Sequence, residues 1–196
     1  MHRFFPLLLL LAAFCPHARS EGFIPRVDGE AFAKKSVAKP VSGDRLFEFI
    51  KEDESFDSWT KLIAYRYQRL SGLSNDPIKY AYAMQHAITQ QNPAAAVKVS
   101  ENQQTHEAVL DFVTWPKDQS YVELNVFRFV KSKDGNAVVS IQLANKFVPP
   151  KPTFTQDGVE KYQQQLMVIR DRRKSWIKQA TDADLQVIEA ELLKEQ

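Results

Sequence analysis

Cysteine, glycine and histidine are the scarce residues of this sequence, and each shortage narrows the chemistry open to it. The 196 residues contain one cysteine, six glycines and four histidines. The cysteine, Cys15, sits in an N-terminal apolar run, so the chain beyond that run has no disulfide, no thiolate nucleophile and no cysteine metal ligand. The glycines stand singly, which excludes a Gly-x-Ser-x-Gly elbow and a Gly-rich phosphate loop. Beyond residue 20 only His86 and His106 remain. They lack the four-residue spacing that would put two imidazoles on one helix face around a zinc ion. No catalytic residue, no metal ligand set and no cofactor is expected, and an enzyme is the least supported class.

An excess of charge is missing as well. There are 26 basic and 24 acidic residues. Removal of a leader carrying Arg3 and Arg19 would equalise them, so nothing in the bulk electrostatics supports a polyanion partner, and no nucleic acid is expected. The basic cluster Arg170-Asp171-Arg172-Arg173-Lys174 is split by an acid and spread around a helix, as a solvated helix face would be.

The N-terminus has the layout of a secretory signal. Met1-His2-Arg3 is basic, Phe4–Phe14 is almost wholly apolar, and Ala18-Arg19-Ser20 offers small residues before a cleavage expected at Ser20-Glu21. The apolar run is shorter than the roughly 20 residues a bilayer span requires. Phe14 before Cys15 departs from a lipobox, which needs a small residue there. The expectation is export to the periplasm or beyond, with no transmembrane segment in the mature chain. The organisation that follows is a signal peptide over 1–20, an irregular leader over 21–43, an α+β domain over 44–180 and a C-terminal helical tail over 181–196.

The central feature is a meander from Thr105 to Phe147. Three alternating runs, 106–115, 121–131 and 137–147, read as strands. The turn Lys133-Asp134-Gly135-Asn136 carries an Asp-Gly pair, the strongest short-range hairpin signal. Centring the hairpin there sets Val130 opposite Val139, Val126 opposite Leu143 and Val122 opposite Phe147, with Glu123 facing Lys146 on the other side. Upstream, 45–51 and 58–70 read as strands, with Trp59, Ile63, Tyr65 and Tyr67 on one side of the second. Asp76-Pro77 opens a helix that Asn92-Pro93 closes, and a short strand covers 94–100. Downstream, Pro149-Pro150-Lys151-Pro152 forces an extended crossing. Asp157 and Glu160 then resemble a capping box ahead of the stripe Val159, Tyr162, Leu166, Ile169, Trp176 and Ala180, which Arg173 interrupts. The order β-β-α-β-β-β-β-α implies an α+β fold with a mainly antiparallel sheet and helices packed on it.

Over Arg45 to Ala180 this order resembles PsbP-like photosystem extrinsic proteins and the Mog-type Ran-binding factors. Trp59-Thr60-Lys61 at a strand entry is similar to small exported bacterial proteins of unassigned function. The resemblance implies a non-catalytic binding or assembly role and carries over no functional residue.

Four positions in the meander depart from what folding alone asks. The register puts Arg128 on the apolar face between Val126 and Val130, where a guanidinium needs a carboxylate or a bound anion. Asn145 shares that face. Phe127 and Phe129 lie on the opposite one, where they form a partner surface if helices cover one side only. The expected function is therefore an exported, non-enzymatic binding or assembly accessory domain working through Arg128, Asn145, Phe127 and Phe129, with an envelope protein as partner. The alternative is a carrier holding a small amphiphilic or anionic ligand in a sheet–helix cleft. A hydrolase or metal enzyme using His86 and His106 comes third.

Overall fold

The computed structural model describes residues 23–40, 43–148 and 155–194. The N-terminal apolar run, the expected cleavage position and the Pro149–Pro152 crossing lie outside the described residues.

Arg26–Val27 (β1) and Glu30–Ala31 (β2) form a minimal hairpin across Asp28 and Gly29, both at positive φ (53° and 78°), the conformation a two-residue turn requires. Lys34–Ala38 (β3) pairs with Arg45–Ile50 (β4), and Lys61–Gln68 (β5) follows. Pro77–Gln91 (α1) begins where Asp76 accepts hydrogen bonds from the amides of Ile78 and Lys79. Ala96–Asn102 (β6), Glu107–Thr114 (β7), Val122–Lys131 (β8) and Val138–Phe147 (β9) complete the strands, and Gln156–Asp182 (α2) and Leu185–Lys194 (α3) close the chain. All pairings are antiparallel and seven strands make one sheet in the order β3-β4-β5-β9-β8-β7-β6. The fold is α+β.

The register read from the Asp134-Gly135 turn holds at every pair: Val130 faces Val139, Val126 faces Leu143, Val122 faces Phe147 and Glu123 faces Lys146. The ladder opens one step early, where the amide of Ser132 donates to the carbonyl of Ala137, so the connection is a four-residue loop with Gly135 at φ 73°.

Helices cover both faces of this sheet. On one, Phe47, Phe49, Ile63, Tyr65, Val126 and Leu143 pack against Trp176 and Ala180 of α2 and Leu185, Ile188 and Leu192 of α3. On the other, Leu110, Phe112, Phe127 and Phe129 pack against Ile78, Ala81 and Ile88 of α1. Full burial of each such side chain contributes about 1.5–3 kcal/mol.

Four expectations are corrected. The stretch 21–43 is not an irregular leader where it is described: β1 and β2 dock on α2 through Asp28, which accepts from Trp176 Nε1 at 2.9 Å, and β3 is an edge strand of the main sheet. The segment 181–196 is no tail, because α3 fills the core with Leu185 and Leu192. The cap of α2 is Thr155, whose hydroxyl accepts from the amide of Gly158, with Asp157 inside the first turn. Trp59 leaves the side of Ile63 and Tyr65 and packs with Ile50, Leu62 and Phe56 on the opposite face, since it precedes the strand.

Candidate functional site

The four meander positions are structural. Phe127 and Phe129 are 5% and 0% exposed beneath α1. Their rings stack at 5.5 Å, and Tyr80 of α1 meets Phe129 edge-on at 5.2 Å. The surface expected of them does not exist, because the sheet is covered on both sides.

Arg128 has all the partners it needs. Its Nε and Nη2 reach Glu107 Oε2 at 3.0 and 2.9 Å. Its Nη1 donates to the carbonyls of Thr181 and Ala183 at 2.7 and 2.8 Å and of Ala180 at 3.4 Å. Those carbonyls end α2, where the helix leaves acceptors unpaired and its dipole favours a cation. Arg128 is a C-terminal cap for α2, tied to β7 by a carboxylate.

Asn145 is also buried and satisfied. Its Nδ2 donates to the carbonyls of Thr60 and Lys146 at 2.9 and 3.0 Å, while its Oδ1 accepts from Arg172 Nη1 at 2.7 Å. That last bond leads to the feature the sequence reading misses. The basic cluster is not a solvated face throughout: Arg173 pairs with Asp111, a 2% exposed carboxylate on β7, and Arg172 turns toward β9. Arg170 pairs with neighbouring Asp171 at 3.2 Å.

Arg172 stands at one end of an open cleft of about 460 Å³ between the end of β9 and the N-terminal half of α2. Phe147 and Val148 form the β9 wall; Val168 and Ile169 face them from the helix. Gln164 and Gln165 lie between, and Lys161 stands at the far end, about 16 Å from Arg172 along a helix rising 1.5 Å per residue. Among the described residues that line the cleft there is no carboxylate. The cleft exists because α2 is anchored on the sheet by its C-terminal half and runs on past the end of β9. Arg172 already meets β9 at Asn145, two residues from the strand's end, so the 16 residues of α2 before it, about 24 Å of helix, extend beyond that contact. The overhanging half leaves Val159, Leu166, Met167 and Val168 from 43% to 59% exposed.

A polar ladder crosses the opposite face. Arg66 Nη2 donates to Gln142 Oε1 at 2.6 Å, Gln142 to Asn125 at 2.7 Å, and Asn125 to Glu123 at 2.9 Å. Burial pushes the Arg66 guanidinium below its ordinary value, against the opposing pull of the Glu48 carboxylate. Arg66 Nη1 and Ser140 Oγ, at paired positions, are enclosed without a partner. The ladder lies among packed strands and opens on no cleft among those described.

The histidines do not make a site. His86 Nε2 contacts Gln90 on α1, and His106 lies 3.3 Å from the α1 cap Asp76. Among the described residues no three His, Cys, Asp or Glu side chains are grouped as metal ligands. Ser-x-x-Lys spacings occur at Ser36, Ser58 and Ser175, but Lys61 pairs with Glu30 and Lys178 with Asp182. Only Ser175 lies on a helix, and its hydroxyl accepts from Gln179. No described helix is long and apolar enough to cross a membrane.

A family model matches residues 26–185, most of the chain, and the protein belongs to that family, to which no function is assigned. The match starts at β1 and ends in α3, so the N-terminal hairpin belongs to the family's domain. Compared with curated proteins and with solved structures, the chain matches none.

Proposed function

We propose that this protein is an exported, non-enzymatic binding module, and that a small molecule occupies the cleft between β9 and α2. The observation that carries the reading is the cleft itself. Its volume lies within the range of small-molecule sites, about 300–1,000 Å³, and apolar walls meet a few fixed polar groups there, as such sites do. The signal-like N-terminus lends export its support. Relative to the expected carrier, Asn145 keeps a place behind the wall, and Arg172 replaces Arg128 as the available cation.

The test is native mass spectrometry of the protein purified from the cell envelope, alongside Val168→Trp, which fills the cleft from an exposed position. A co-purifying small molecule that the variant loses is the expected result. An adduct-free wild type, with no binding from an envelope lipid extract, would overturn the reading. A second reading, assembly on an envelope protein, is favoured by the exposed Leu166 and Met167. In that case Leu166→Glu would abolish a discrete crosslinked species that Val168→Trp leaves intact.

A further inference from the structure

The geometry points to a single-chain fatty carboxylate as the ligand of this cleft, with its head on Arg172 and its chain between Phe147, Val168 and Ile169. This rests on the cleft being a small-molecule site.

The charge of the cleft selects the head. Lys161 and Arg172 are its only charged lining among the described residues, and both are cations. Arg172 is the half-buried one, and Asn145 Oδ1 holds its Nη1 at 2.7 Å. Asn145 is itself pinned by two backbone carbonyls, so the guanidinium plane is oriented before any ligand arrives. The rest of that plane, Nη2 and Nε, has no partner among the described residues. Two parallel N–H donors on one edge match the two oxygens of a carboxylate. Arg128 provides the contrast within the same chain, since its Nε, Nη1 and Nη2 are all engaged.

The walls select the tail. From Arg172 the cleft runs about 16 Å toward Lys161 along one helix, a length suited to one extended chain. Phe147 and Ile169 supply apolar contact, and Val168 and Val148, 59% and 75% exposed, gain most by being covered. Each methylene withdrawn from water contributes about 0.8 kcal/mol.

The experiment titrates the protein with dodecanoate, dodecanol and dodecyl-chain lysophosphatidylglycerol, each below its aggregation threshold, and repeats this with Arg172→Gln, Arg172→Lys and Val168→Trp. Thermal melts check that each variant folds. Wild type should bind dodecanoate about ten-fold or more tighter than dodecanol, the difference that a charge-assisted bidentate contact of about 1.4 kcal/mol gives. Arg172→Gln should bring dodecanoate down to the dodecanol level while leaving dodecanol unchanged. Arg172→Lys, which keeps the charge and loses the fork, should fall between, and Val168→Trp should weaken both ligands. Equal binding of dodecanoate and dodecanol by wild type, with both lost in Val168→Trp, overturns the carboxylate and leaves the cleft standing. Tighter binding of the lysophospholipid than of dodecanoate overturns the choice of head. No binding of any of the three, or binding that Val168→Trp does not touch, overturns the cleft together with the ligand. Should Arg172→Gln fail to fold, Arg172→Lys and the neutral-ligand comparison in wild type still decide the point.

Discussion

From Arg173 to its C-terminus α2 lies against the sheet, while from Gln156 to Ile169 the same helix, carrying the same three- and four-residue apolar spacing, stands largely in solvent. The docked half is held by Trp176, 1% exposed and bonded to Asp28, by Arg173 on buried Asp111, and by Arg128 at the last carbonyls. The overhanging half has Val159, Leu166 and Met167 exposed and the cleft on its β9 side. An apolar stripe therefore does not report burial by itself. It reports a helix that will be buried wherever something lies beneath it, and the sheet ends before the stripe does. The two arginines repeat the lesson: Arg128, inside the docked region, completes the fold, and Arg172, at the border, retains donors for something else.

Substitutions should separate the halves sharply. Trp176→Ala removes the largest side chain of the docked half together with its bond to Asp28, and should cost about 3–5 kcal/mol, read from urea midpoints with an unchanged slope. Loss of less than about 1 kcal/mol would mean that the docked half is not what holds α2 in place. Next in size is Arg128→Gln, which leaves Glu107 without its cation and the end of α2 uncapped. A cost of about 2–3 kcal/mol is expected, from charged hydrogen bonds lost at a partly buried site. In the overhanging half, Leu166→Ala and Met167→Ala should change stability by about 0.5 kcal/mol or less. Amide exchange should follow the same division, with residues 158–168 exchanging far faster than 174–180. Equal protection along α2 would break the comparison outright.

Much of the architecture was legible because period-two runs and an Asp-Gly turn specify register locally. Every cross-strand pair expected around Asp134-Gly135 is found, since one slipped residue would turn Val126 and Val130 to the wrong face. The same turn chemistry stands at Asp28-Gly29, yet its flanking strands are two residues each, too short for alternation to show. The docking of α3 was not legible either: its stripe of Leu185, Ile188 and Leu192 shows on paper, but not the sheet face it meets. Nor were the partners of the misfit residues. Arg128 bonds carbonyls 52 to 55 positions away, and no local pattern carries that. A better signal lay in Asp111, an acid inside an apolar strand, which demands a buried cation and so removes Arg173 from any solvated cluster. Arg172 and its cleft follow only from where α2 is anchored along β9, at Asn145, a contact 27 positions apart in the chain.

The smallest expected effect sharpens the comparison from the sheet side. The loop 133–136 lies at the closed end of the molecule, where the Lys133 amide donates to Glu189 of α3 at 3.2 Å. Asp134 in that loop has its carboxyl held down to about 2, first by the Ser132 hydroxyl at 2.6 Å and then by the amide and side chain of Asn136. A carboxylate whose folded value lies below its unfolded value, near 3.9, contributes stability that is full above that unfolded value and is lost as pH falls toward about 2. Chemical-shift titration should show the Asp134 carboxyl carbon stepping only below about pH 3. Asp134→Asn should remove that step. A step near pH 4 at that carbon in wild type would mean that the Ser132 and Asn136 bonds do not hold the carboxylate.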